Sequence, residues 1–140
     1  MSVHSLLLSI RPKFAEQIFN GAKTVELRRI KPKLSCGDTV LVYVSSPTKA
    51  LIGAFEVDKV IESSPQNLWA KVSHIAGITE EEFTAYYDGT EKAYGIFIKK
   101  SWQLDKPLEL SNLKMKWKNF HPPQSYRYIS ASEAEVIGVL

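Results

Sequence analysis

The sequence predicts an α+β domain built around a small, mostly antiparallel β-barrel, and three observations carry that expectation. Apolar segments of period two outnumber helical ones, and most are neighbours in sequence. The helical patterns fall in two places, one helix after the first strand and a pair in the middle, instead of alternating with strands as a parallel sheet requires. One β-rich run, Ala50 to Ile61, carries Gly53 where a long barrel strand bulges or bends at a corner.

Val3 to Ile10 is a short apolar run, and Pro12 follows at a place suited to the first turn of a helix. Phe14, Ile18 and Phe19 form the apolar stripe of that helix, and Gly21 ends it. Thr24 to Arg29 then alternates, with Val25 and Leu27 on one face and Thr24, Glu26 and Arg28 on the other, a strand with a polar face. After the turn at Cys36-Gly37-Asp38, Thr39 to Ser45 is apolar on nearly both faces, as in a central barrel strand. Ser46-Pro47-Thr48 makes the next turn. Ser64 caps a helix that has Pro65 at its first position and Leu68, Trp69 and Val72 facing inward, and Thr79 with Glu82 forms a capping box for the second helix of the pair. The box explains Glu80, Glu81 and Glu82 as partners of the helix dipole, in place of metal or acid–base chemistry. Asp88-Gly89 closes the pair, and Ala93 to Trp102 alternates again. Pro107 and Pro122-Pro123 punctuate a less regular stretch, and Ser130 with Glu133 repeats the capping box before a short final helix.

No repeat or linker divides the 140 residues, so residues 1–140 are expected to form a single domain, long enough to need no disulfide or metal. An apolar fraction of 44% with 24% charged residues fits a folded chain and no disordered tail. No apolar run approaches the roughly 18 residues of a membrane span, and Ser5 to Ile10 lacks the flanks of a signal peptide, so no membrane association is expected. Cys36 is the single cysteine, which excludes an internal disulfide and makes the cytoplasm the expected location. His4, His74 and His121 lie far apart, and no zinc or nucleotide-cofactor fingerprint is present, so neither metal nor cofactor is expected.

The net charge of +3 permits an anionic partner, and its distribution says more. Lys23, Arg28, Arg29, Lys31 and Lys33 cluster early, and Lys114, Lys116, Lys118 and Arg127 cluster late. The segment GAKTVELRR, Gly21 to Arg29, has two readings: an exposed edge strand kept soluble by charge, or the wall of a site. In the second, Lys23, Arg28 and Arg29 neutralise phosphate and Glu26 accepts hydrogen bonds from a base or ribose. In PPQSYRY, Pro122 to Tyr128, two aromatics flank Arg127 after a rigid turn, beside Gln124 and Ser125. Tyr126 and Tyr128 either pack the barrel or offer a stacking face worth about 1–3 kcal/mol per base. Tyr43, Ser45 and Ser46 end a strand before Pro47, as turn formers or as further hydrogen-bonding groups.

The order SIRPKFAEQIFNGAKTVELRR, then GDTVLVY, then GAFEV resembles the ASCH domain family, whose fold is PUA-like, from residue 3 to about residue 128. The SSP turn and the PPQSYRY ending are similar to a prokaryotic group described as predicted transcriptional regulators with a PUA-like domain, which implies a regulatory role. The resemblance implies a barrel with a cleft facing RNA or a modified nucleoside, lined by GAKTVELRR. One branch of the family hydrolyses an acetylated cytidine with a lysine, a threonine three residues later and a glutamate near the middle helices. Lys23 matches that lysine, Glu26 stands at the threonine with Thr24 on the same predicted strand face, and Ala76 stands at the glutamate. A second branch is ribonucleolytic, and Lys23, Arg28 and Tyr43 have the chemistry to stabilise a phosphorane-like state.

The expected function is therefore a binding module for RNA or a nucleotide-like ligand in a basic cleft. Lys23, Arg28, Arg29 and Arg127 meet phosphate, Glu26, Ser45, Ser46, Gln124 and Ser125 supply hydrogen bonds, and Tyr43 or Tyr128 stacks. The alternatives are a small hydrolase of a modified nucleoside or of RNA, with Lys23, Thr24 and Glu26 as its working group, and a protein-interaction domain. All three turn on whether GAKTVELRR and PPQSYRY face one cavity.

Overall fold

A computed structural model of the chain describes residues 5–138. Its strands are β1 (Ser5–Ile10), β2 (Val25–Arg28), β3 (Thr39–Val44), β4 (Ala50–Ser63), β5 (Ala93–Glu109) and β6 (Tyr126–Ile129). The helices are α1 (Pro12–Phe19), α2 (Pro65–Val72), α3 (Glu80–Tyr86), α4 (Leu110–Lys116) and α5 (Ala131–Ile137). Val3 and His4, at the start of the expected first strand, lie outside the described residues. The strands form one sheet in the order β2-β5-β4-β3-β1-β6, antiparallel at every pairing except β1 with β3. The exception follows from the path between them, which runs through α1 and lets the chain re-enter the sheet in the same direction. The α+β class and the mostly antiparallel, curled sheet agree with the sequence expectation.

The curl has a sequence cause. β4 changes register against β5 between Leu51 and Gly53, and again around Val57, so the long strand bends where Gly53 removes a side chain. β3 is buried on both faces because the curl puts a core on each side of it. Val40, Val42 and Val44 join Leu6, Leu8, Ile18 and Phe55 in one cluster, and Leu41 and Tyr43 join Leu7, Leu51, Leu113 and Trp117 in another. A third cluster sits under the helical pair, where Val25 and Leu27 of β2 meet Leu68, Val72, Phe83 and Tyr87. The cap expectations hold here: the Ser64 hydroxyl accepts from the Asn67 N–H, and Thr79 with Glu82 closes a complete capping box.

The stretch expected to be irregular corrects the sequence reading. β5 does not stop at Trp102 but runs to Glu109, and α4 follows it directly. The last β2–β5 pair is Val25 with Phe97, so β5 beyond that point has a neighbour on one side only. An open side needs no ladder N–H, which is why Pro107 is tolerated inside the strand. α4 forms because Leu110, Leu113 and Trp117 recur at helical spacing against the second core. Burial of Leu113 and Trp117 stabilises it by roughly 1.5–3 kcal/mol each. Among the described residues no helix is long and apolar enough to cross a membrane.

Candidate functional site

β2 and β6 are the two edges of the sheet, and the curl brings them face to face. The Arg28 guanidinium on β2 donates through Nη2 to the Ser125 hydroxyl just before β6. Farther along, the Lys33 N–H donates to the Tyr128 hydroxyl at 2.8 Å. Between the edges lies a chamber of about 720 Å³, within the usual size of a small-molecule or nucleotide site. Lys23, Glu26, Arg28, Glu82 and Ser125 are among its polar groups, and Ile10, Phe14, Leu27, Ile78 and Tyr86 among its apolar ones. Ser9, Arg11 and Gln124 line this chamber and also an adjoining hollow of about 460 Å³ that Tyr43, Ser45, Ser46 and Lys49 border. The two are compartments of one groove. GAKTVELRR and PPQSYRY thus do face one cavity.

Lys23 reaches the chamber because Gly21, at φ 85°, turns the chain off α1, and the Lys23 N–H then donates to the Gln17 carbonyl at 3.0 Å. The side chain is only 3% exposed. Its Nζ donates to the Ala76 carbonyl at 2.6 Å and sits 5.2 Å from the centroid of the Phe14 ring. Burial pushes its pKa below the ordinary 10.5, while the Glu26 carboxylate pulls it back up. Below the lowered pKa the ammonium is charged in both folded and unfolded chains, and its desolvation penalty is fully present. Between that pKa and 10.5 the unfolded chain holds more protons, so stability rises with pH. We expect wild type to gain stability relative to Lys23→Met as pH climbs through that window in denaturant titrations. A difference independent of pH would show that Lys23 is not desolvated. Tyr86 and Tyr87, whose pKa values burial also raises, titrate in both proteins and cancel.

Glu26 is 8% exposed, and its Oε2 accepts from Arg28 Nη1 at 3.3 Å. Helix α3 braces the strand that carries both residues: the Tyr86 hydroxyl donates to the Leu27 carbonyl at 3.2 Å, and the Tyr87 hydroxyl lies 3.2 Å from the Arg28 carbonyl. β2 is therefore a covered edge, and its charged face points inward.

Several sequence expectations are corrected. Thr24 does not line the groove; the strand begins at Val25, and the residue before it uses its N–H on the Ile75 carbonyl while Lys23 takes the inward position. Arg29 lies past the end of β2, exposed, with Nη2 3.5 Å from the Asp88 carbonyl. Arg127 faces the second core with Ile129, because alternation along β6 separates it from Tyr126 and Tyr128. Its guanidinium pairs with Glu133 and stacks 5.5 Å from Trp117 and 5.6 Å from Phe120, which ties α4 to α5. Tyr43 borders the outer hollow but is 2% exposed and packs edge-on to Phe120, so its ring face is not open to a base. Tyr128 is 40% exposed, outside both compartments, with its hydroxyl engaged by Lys33.

The groove also holds residues that pattern reading passed over: Arg11, Phe14, Lys49 and Tyr86. Arg11 is the N-cap of α1; its guanidinium has no acceptor for the helix N–H groups, and the residue is exposed at the border of both compartments. Lys49 adopts φ 49°, unusual for a lysine, at the turn where β4 begins. Among the described residues no group of three or more His, Cys, Asp or Glu side chains is placed to hold a metal ion.

The family model for the ASCH domain matches residues 8–120. An ASCH domain-containing ribonuclease of Zymomonas mobilis is 32% identical over 129 residues, covering 92% of this chain and 86% of that protein. The crystal structure of an ASCH protein from Zymomonas mobilis superposes with a TM-score of 0.91 at 29% identity, over 97% of this chain and 94% of that one. The N-terminal domain of McrB from Staphylothermus marinus shares the fold alone, with a TM-score of 0.59 at 13% identity over 96% of this chain and 92% of that one. With the family model covering most of its length and a close structural match along nearly all of it, the chain belongs to the ASCH domain family.

Proposed function

We propose that this protein binds single-stranded RNA in the groove between its sheet edges. The observation that carries the reading is the junction of Arg28 with Ser125, which sets a guanidinium between an apolar-walled chamber and an outer hollow bordered by Arg11 and Lys49. Arg11, Arg28 and Lys49 supply positive charge to a phosphate backbone, while the chamber admits a base that no longer stacks on its neighbours. A duplex keeps its bases stacked and cannot fill the chamber. The ribonuclease name of the Zymomonas mobilis relative supports an RNA ligand.

Binding of a fluorescent single-stranded octanucleotide is expected to weaken as salt rises, with a log–log slope of roughly −2 for three cationic contacts. Arg11 is exposed and makes no cap, so Arg11→Ala leaves the fold intact and reduces the slope by about 0.7. Salt-independent binding, or an unchanged slope in the variant, would overturn the reading.

The same relative favours a second reading, in which the bound strand is also cut. Arg11, Arg28 and Lys49 are placed to stabilise charge on a phosphorane-like state. Chain shortening of the octanucleotide above that in an Arg28→Met control decides it. Hydrolysis of an acetylated nucleoside gains no support from the geometry: Lys23 is engaged by the carbonyl of Ala76, and Ala76 brings no carboxylate.

A further inference from the structure

Resting on the RNA reading, we infer that helix α4 carries the RNA onward after it leaves the groove, so that a strand longer than the groove is also held by Lys114, Lys116 and Lys118. These lysines are the late basic cluster of the sequence, and they line neither compartment of the groove. All three are exposed, and none makes an ion pair among the described residues, whereas Lys92, Lys99 and Lys100 each face a glutamate. Their charge is left for a partner. Leu113 and Trp117 turn one side of α4 into the second core. At about 3.6 residues per turn, that leaves Met115 pointing outward with Lys114 and Lys116 to either side of it. Met115 is 84% exposed, a flexible apolar surface between two cations against which a base or ribose can lie.

The helix begins at the groove itself. The Leu110 N–H donates to the Lys49 carbonyl at 3.0 Å, Leu110 borders the outer hollow, and the chain comes back to that hollow at Pro122 and Pro123. An RNA whose phosphates meet Arg11 and Lys49 therefore leaves the hollow beside α4. The other end of the groove repels it. Ala85 lines the inner chamber and also a third hollow, of about 650 Å³, bordered by Glu80, Glu81 and Asp88. Carboxylates at one end and unpaired lysines at the other give the RNA a single way out.

The test compares the octanucleotide with a single strand of about twice its length, each titrated at several salt concentrations. The longer RNA is expected to bind the full chain with a log–log slope of roughly −4, for six cationic contacts, against roughly −2 for the shorter. Extra binding registers raise its affinity but leave its slope alone, so the slope is the readout. Lys114→Gln combined with Lys116→Gln and Lys118→Gln should return the longer RNA to about −2, while the octanucleotide, which ends before α4, keeps its own slope. Lys92→Gln combined with Lys99→Gln and Lys100→Gln removes the same net charge from lysines that already face carboxylates, and should leave the longer RNA near roughly −4. Equal slopes for the two lengths, or equal losses in the two triple variants, overturn the inference and leave the RNA reading standing. Binding of neither RNA overturns both. If the first triple variant does not fold, Lys118→Gln alone, beyond the end of α4, takes its place and should lower the slope by about 0.7.

Discussion

Gly53→Ala is expected to lower the melting temperature by about 10 °C, corresponding to roughly 3 kcal/mol for a domain of this size. The cause is space and not backbone conformation. A methyl group at position 53 would lie 2.3 Å from the Trp102 carbonyl oxygen on β5 and 2.7 Å from the Phe19 ring on α1. The first contact is with backbone, in the very ladder that joins β4 to β5, so it yields only if the strands part. Relief in the other direction pushes Phe19, and with it α1, off the sheet. That helix carries Phe14 into the chamber and leads through the Gly21 turn to Lys23, so the damage reaches the groove. Gly89→Ala is the matched control: it has φ +81° and nothing within 4 Å, and it should cost only about 1–2 kcal/mol through left-handed strain. Equal losses in the two variants, measured by thermal unfolding, would show that the corner at Gly53 has room to spare.

The legible parts of this molecule were those decided within a few residues. Pro12, Pro65, Thr79, Glu82 and Ser130 announce helix starts because capping is a local hydrogen-bond problem. The double apolar face of β3 foretold a strand between two cores. The extension of β5 was not legible, since it depends on which neighbour β2 leaves unpaired, and α4 was hidden by the prolines on either side of it. The site divides in the same way. Alternation along GAKTVELRR put Glu26 and Arg28 on one face correctly, but Thr24 dropped out because a strand's first residue is set by tertiary pairing. Arg127 went to the wrong side for a related reason: the phase of β6 against the cores is fixed by β1, far away in sequence. Arg11 and Lys49 carry no signal of their own, being single charges at a helix cap and a turn that only the curl of the sheet brings to one groove.

Arg28→Met is expected to lose RNA binding by about a hundredfold, roughly 2.7 kcal/mol, and to lose stability as well; the two losses have separable causes. Stability falls by about 2 kcal/mol because Glu26, 11% exposed at its side chain, loses its hydrogen-bonding partner and keeps only the attraction of Lys23. Binding falls because the guanidinium that joins the chamber to the rim is gone and a carboxylate opposed by Lys23 alone faces the incoming strand. Adding Glu26→Gln removes that carboxylate charge, so the double variant should recover part of the stability; the rest stays lost because the buried Lys23 ammonium then has no countercharge. It should not recover affinity, since no cation remains between base and phosphate. Arg28→Lys sharpens the point: an ammonium lacks the planar fork that reaches Glu26 and Ser125 at once, so it preserves charge and still forfeits most of the binding. Recovered affinity in the double variant would mean that Arg28 serves only to neutralise Glu26, and the phosphate contact would then fall to Arg11 and Lys49 alone.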